Sequence, residues 1–209
     1  VKVLLKQPAS QYYEHAQLYF SGQIGFDNWQ SVALQGIADF AYRLNSADNL
    51  KHLHAAWPNL PVEVLQPLSA MLEHIEIPPT LSELMLSYGQ TALKNNDVVT
   101  ASAALRAISS GQATGLSAQL VDCALESTLG QDSDILLTIA GRSFKQLEEP
   151  QRLHVFMDNC AHHEKIAELF PSIFADLVAI PTIRPHLLAL LRKENRSETL
   201  ARAIGRLFS

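Results

Sequence analysis

Cysteine is nearly absent from this chain: Cys123 and Cys160 are the only two, too few for a disulfide framework. Both fall on apolar stripes of expected helices, so they read as reduced core residues of a cytoplasmic protein. Charge is also sparse, at 18% of residues with a net of -5, which argues against a general polyanion binder. No run approaches the roughly 18 consecutive apolar residues of a membrane-spanning helix, and the opening VKVLLKQPAS lacks the core and cleavage site of a signal peptide, so no membrane partner is expected. Missing too are the Gly-x-Ser-x-Gly elbow, the Walker loop, the Gly-x-Gly-x-x-Gly turn and His-Glu-x-x-His, so no catalytic residue and no cofactor is expected. Sustained two-residue alternation and Asn-Gly turns do not occur, which leaves a sheet without support.

What is present is helix grammar. With 47% hydrophobic residues in 209, the chain can bury a core large enough to offset its conformational entropy. From Trp29, the apolar or small residues Val32, Ala33, Gly36, Ile37, Phe40, Ala41 and Leu44 follow the three-and-four spacing of one helix face. Asp27 with Gln30, and Thr80 with Glu83 behind Pro78-Pro79, read as capping boxes, while Asn96 or Asp97 caps the stripe of Val98, Ala101, Leu105 and Ile108. Pro150 suits a first helical position behind Glu148 and Glu149. Pro171 falls inside the apolar run from Ile166 to Val178 and predicts a kink or a split there.

Short connectors force neighbouring helices to pack antiparallel. The expected hairpins pair 10–22 with 27–44, 48–57 with 61–76, 80–94 with 97–109, 114–129 with 134–140, 150–162 with 165–179, and 182–193 with 196–208. The implied repeat is about 35 residues, within the range of helical-repeat proteins. The expected fold is therefore all-α, a HEAT-like solenoid of stacked hairpins forming a single domain over residues 1–209, with an irregular helical bundle as the alternative. The chain opens on Val1 rather than Met, which predicts that it is the C-terminal part of a longer one.

Candidate sites are few. Cys160, His163 and Glu164 stand at i, i+3 and i+4 and could converge on zinc, but Cys160 continues the stripe of Leu153, Phe156 and Met157 and no fourth ligand accompanies them. No metal is expected. His54 shares a face with Leu50, Leu53 and Trp57 and reads as a half-buried, hydrogen-bonded histidine. Glu73, His74 and Glu76 read as a solvated helix end. Tyr12, Tyr13, Tyr19, Phe20, Phe26 and Trp29 crowd the first hairpin, where they either pack on one another and the second hairpin or form an interface. On the interface reading, Tyr12, Tyr19 and Phe20 contact a partner protein or the chain's own N-terminal segment.

Charge reverses at the C-terminal end. Residues 183–209 hold six basic side chains against two acidic, a net of +4, while the rest holds ten against nineteen, a net of -9. Arg202 and Arg206, four residues apart, share the outward stripe of the last helix and suit contact with an acidic partner.

The stretch QPASQYYEHAQLYFSGQIGFDNWQSVALQGIADF, together with the closing TLARAIGRLFS, resembles an uncharacterised bacterial family of unknown function whose members carry a further N-terminal portion. That resemblance implies a cytoplasmic bacterial protein and transfers no activity, cofactor or site. The functional expectation is a helical-repeat scaffold for protein–protein interaction. Nucleic-acid binding through the basic C-terminal face is the rival, and a metal-dependent hydrolase around His163 is a third reading.

Overall fold

Apolar spacing of three and four residues becomes helix along the chain, and a computed structural model, which describes residues 8–46, 48–163 and 165–208, contains no strand among them. The first four helices are α1 (Tyr13–Phe20), α2 (Leu34–Tyr42), α3 (Asn49–Ala56) and α4 (Val62–Leu72). The next four are α5 (Pro79–Lys94), α6 (Val98–Ile108), α7 (Thr114–Glu126) and α8 (Ser133–Arg142). They are followed by α9 (Pro150–His162), α10 (Leu169–Val178), α11 (Arg184–Leu190) and α12 (Glu198–Arg206).

Several helix starts follow the expected chemistry. Asp97 caps α6 by accepting from the Thr100 N–H at 3.0 Å. Glu149 caps α9 by accepting from the Gln151 and Arg152 N–H groups, with Pro150 behind it at the first position. Those two N–H groups, the Gln151 bond first, hold the Glu149 carboxyl below its usual range.

Three starts differ from expectation. Residues 27–44 do not form one helix: a 3-10 turn over Phe26–Ser31 gives way to extended Val32 and Ala33 before α2 begins. Local side-chain bonds compete with the helical ladder there, since Ser31 donates to the Asn28 carbonyl at 2.7 Å and Asn28 to the Ile24 carbonyl at 2.5 Å. Helix α5 starts with Pro79 at its first turn and no side-chain cap, so Thr80 is already helical. Pro171 neither kinks nor splits α10, because that helix begins only at Leu169 and the proline falls in the first turn, where its missing N–H is harmless.

Contacts run between alternate helices. One row is α2, α4, α6 and α8, each touching the next in that order and α8 touching α10; the other is α1, α3, α5, α7 and α9. Within hairpins, α1 packs on α2 and α5 packs closely on α6, whereas α3 and α4 meet only marginally. The connector between α3 and α4 contains Pro58 and Pro61 with Leu60 extended, which holds the pair apart.

Helix α6 lies among α4, α5, α7 and α8, and its buried Ala101, Ala103, Ala104 and Ala107 let those neighbours approach. The hydrophobic core is continuous from Ala16 to Ile204. At its N-terminal end Phe20 stacks on Phe40 at 4.0 Å between ring centroids, and Tyr19 meets Phe20 and Phe26 edge-on. Asn49, fully buried, is satisfied in full: it donates to the Tyr13 hydroxyl and the Arg43 carbonyl and accepts from Gln17.

Helices α1 and α2 approach so closely at Gly36 that a β-carbon there would lie 2.7 Å from the Tyr12 carbonyl oxygen and 3.2 Å from the Ala16 β-carbon. Backbone cannot give way as a side-chain tip can. Gly36→Ala is therefore expected to cost about 1–3 kcal/mol in urea denaturation. Gly205→Ala in α12, where a β-carbon meets nothing within 4 Å, is expected to gain up to about 1 kcal/mol.

Candidate functional site

The C-terminal ends of three helices of one row come together. Glu73 follows the last residue of α4, Arg106 lies in the last turn of α6, and Arg142 closes α8. A carboxylate at the C-terminal end of α4 meets the negative end of that helix's dipole, and arginines brought to the same place offset it. The Glu73 Oε2 atom lies 2.9 Å from Arg106 Nε and 3.1 Å from Arg142 Nε, and its Oε1 lies 3.4 Å from His74 Nε2. The Glu73 side chain is only 5% exposed, against 33% for Arg106 and 44% for Arg142. The solvated helix end expected from sequence is thus a buried carboxylate, because the row of parallel helices closes over it.

Both arginines are held by charge alone. Neither N–H is aimed at Oε2 well enough to form a hydrogen bond, and the oxygen is buried without another donor. Among the described residues the two guanidinium groups have no other partner. Both side chains line a groove of about 530 Å³ between α6 and α8, with α4 at its side.

Two helix faces line this groove. On α6 they are Val99, Ser102, Ala103 and Arg106; on α8 they are Asp134, Leu137, Thr138, Gly141 and Arg142. Val99 and Leu137 are 40% and 50% exposed, large apolar side chains without cover from the described residues. Ser102 carries a buried hydroxyl with no hydrogen-bond partner. Charge is graded along the groove, with Asp134 in the first turn of α8 and the arginines at the opposite helix ends.

The residues singled out from sequence lie elsewhere. Tyr19 and Phe20 are fully buried in the chain's own core, which corrects the expectation that they offer a docking surface; Tyr12 remains at the surface, 42% exposed. Aromatic area at the first hairpin is covered by stacking and by α2, and Tyr19 donates to the Phe26 carbonyl at 3.0 Å. Burial, assisted by Asp27 and Glu63, pushes its phenol up to about 12. Arg202 and Arg206 are exposed on α12 and line a second groove of about 320 Å³ with Ile166 and Phe170.

Cys160 faces the core, and burial pushes its thiol far above the ordinary value. His163 Nδ1 pairs with the Gln131 carbonyl at 2.8 Å, and Glu164 lies outside the described residues. No three His, Cys, Asp or Glu side chains gather to hold a metal ion among the described residues. Cys123 is half-buried and accepts from Gln90 at 3.4 Å rather than lying in the core. His54 is exposed, whereas His52 is the half-buried histidine of that helix.

These features define an all-α chain with two rows of alternating helices and a charged groove between α6 and α8. The chain belongs to the family described as "Protein of unknown function (DUF3549)", whose model matches residues 1–208. No curated protein and no solved structure matches it.

Removing the shared carboxylate leaves two arginines beside one another without a counter-charge. Glu73→Gln is expected to lower stability by about 1–3 kcal/mol in chemical denaturation, while Glu76→Gln, at an exposed position, changes it by less than about 0.5 kcal/mol. A Glu73→Gln protein of unchanged stability would mean that the helix ends hold together without the pair.

A second cluster ties α9 to the C-terminal helices. Lys193 donates to His154 Nδ1 at 2.9 Å, and Ser197 pairs with Asp158. Burial, then the Lys193 ammonium, hold His154 below the usual histidine value, and Asp158 opposes them only in part. The unfolded chain therefore binds a proton here before the folded one does. The stability held by neutral His154 is present above the unfolded value of about 6.5 and is lost as pH falls through the lower folded value. Comparing denaturation midpoints at neutral and mildly acidic pH, His154→Gln is expected to flatten this slope, and an unchanged slope would assign it to other groups.

Proposed function

We propose that this chain is a HEAT-like helical-repeat scaffold that binds another protein, and that the groove between α6 and α8 is its binding face. The observation that carries the reading is a pair of large apolar side chains, Val99 and Leu137, left exposed on either side of a groove that also holds unspent arginine donors. Contacts between alternate helices support the stacked-hairpin arrangement. So does the spacing of Glu73, Arg106 and Arg142, which are 33 and 36 residues apart and close equivalent helices, since 106 less 73 is 33 and 142 less 106 is 36. No helix among the described residues is long and apolar enough to cross a membrane. Two unpaired cysteines, one of them half-exposed, suit a reducing compartment such as the cytoplasm.

The basic face of α12 is a second contact surface on this reading. Arg202 and Arg206 lie beside the exposed Ile166, a combination that suits an acidic protein partner. Nucleic acid would need a longer basic track than this one helix supplies. Of Tyr12, Tyr19 and Phe20, Tyr12 is the exposed one and the one available to a partner or to an N-terminal segment.

Affinity capture with the full chain from its native cells tests the reading. The wild-type protein is expected to retain one partner at near-equimolar yield. Leu137→Asp is expected to lose it while keeping its helical circular dichroism, and Arg202→Glu with Arg206→Glu to weaken it by a smaller factor. Retention that is indifferent to Leu137→Asp would remove the groove from the binding face, and failure to retain any protein would remove the scaffold reading itself.

A further inference from the structure

We propose that the α6/α8 groove takes an acidic amphipathic segment of a partner protein. A carboxylate of the segment seats on Arg106 and Arg142, and an apolar side chain covers Val99 and Leu137. This rests on the scaffold reading and adds the chemistry of the occupant.

The first argument is an inventory of donors. Each guanidinium carries five N–H groups in a planar fork. Arg106 and Arg142 approach the Glu73 carboxylate through Nε at 2.9 and 3.1 Å, and neither makes a hydrogen bond to it. Glu73 therefore positions the two forks and neutralises one charge, so the pair retains a net charge of about one proton, and no acceptor among the described residues takes a hydrogen bond from either fork. A planar, two-oxygen acceptor is the group that this fork geometry recognises. The anchor is built rather than incidental, since the Glu73 side chain is 95% removed from solvent on a 5% exposure.

The second argument is the gradient along the groove. Val99, Ser102 and Arg106 follow one face of α6 over about two turns, about 10 Å. Asp134 lines the groove away from the α8 end that carries Arg142. An occupant acidic throughout would be repelled by Asp134, and a wholly apolar one would leave the arginine forks and the buried Ser102 hydroxyl unmatched. The fitting segment has a carboxylate at one end, an aliphatic side chain in the middle, and a cation or unpaired N–H groups about 10 Å away, which a helix reaches in two turns.

A library of random twelve-residue peptides displayed on phage, selected on the full chain, tests the proposal directly. Selected peptides should combine Asp or Glu with Leu, Ile or Val. Binding of the corresponding synthetic peptides should fall at least about tenfold when their acidic residue is changed to Gln, and by a similar factor in Arg142→Gln protein. Affinity should also fall with added salt. The peptide change leaves the protein untouched, so it remains decisive if an arginine variant fails to fold.

Peptides that lose binding in Leu137→Asp protein but lack an acidic residue, or ignore the Glu-to-Gln change, would overturn the carboxylate assignment while keeping the groove as a binding face. Peptides indifferent to Leu137→Asp, or no selected peptides at all, would overturn both readings. Peptides that keep an acidic residue but differ in where it lies would be separated by amidating the chain end: loss on amidation assigns the carboxylate to a C-terminus, and retention assigns it to a side chain, with the proposal standing in either case.

Discussion

Helix α6 is thin, and the arrangement of its neighbours depends on that. Its sequence, VVTASAALRAI, places alanine at four buried positions, so α4, α5, α7 and α8 can all lie against it. Bulkier residues would push one neighbour away. Close packing of that kind also fixes the axial position of α4 and α8, because interiors tolerate little volume change. With the helices in register, Glu73, Arg106 and Arg142 reach the same point from three different helices. The charged groove is a consequence of small side chains in the core beside it.

That arrangement separates two tasks. Burial of aliphatic and aromatic side chains supplies the driving force for folding, at about 25 cal/mol per Å² of apolar surface removed from water. Polar nodes supply register. Asn49 joins α3 to α1 and to the Arg43 carbonyl with its donors and acceptor satisfied; Asp122 accepts from Arg152 across α7 and α9 at 2.5 and 2.8 Å. Glu73 differs from both, because its two arginines are held without completed hydrogen bonds. A satisfied node rigidifies; an unpaired buried oxygen costs stability.

Aromatic residues at the first hairpin illustrate how a surface feature and a core feature look alike in sequence. Tyr12, Tyr19 and Phe20 lie within nine positions of one another, yet Tyr19 and Phe20 are buried and Tyr12 is exposed. On a helix, Tyr19 and Phe20 are adjacent to the face carrying Ala16, which packs under Gly36, whereas Tyr12 precedes the helix. The absence of a β-carbon at Gly36 lets α2 lie over that face.

The sequence alone determined the helices, most of their ends and the absence of sheet signals, because helix periodicity and capping are local. Asp97 and the Glu149–Pro150 pair each act within a few residues of their own backbone. Where local signals competed, as in residues 27–33, the pattern of apolar residues alone overran the boundary, since side-chain bonds from Asn28 and Ser31 had diverted the backbone. The candidate site was not legible in the same way. Glu73 looked like a solvated helix end, and Arg106 and Arg142 gave no motif, although their spacing of 33 and 36 residues from one to the next was a usable signal once helix ends were aligned. Only tertiary packing decided that three separate helix ends share one buried carboxylate, because charge pairing between residues that far apart depends on the distances set by the core.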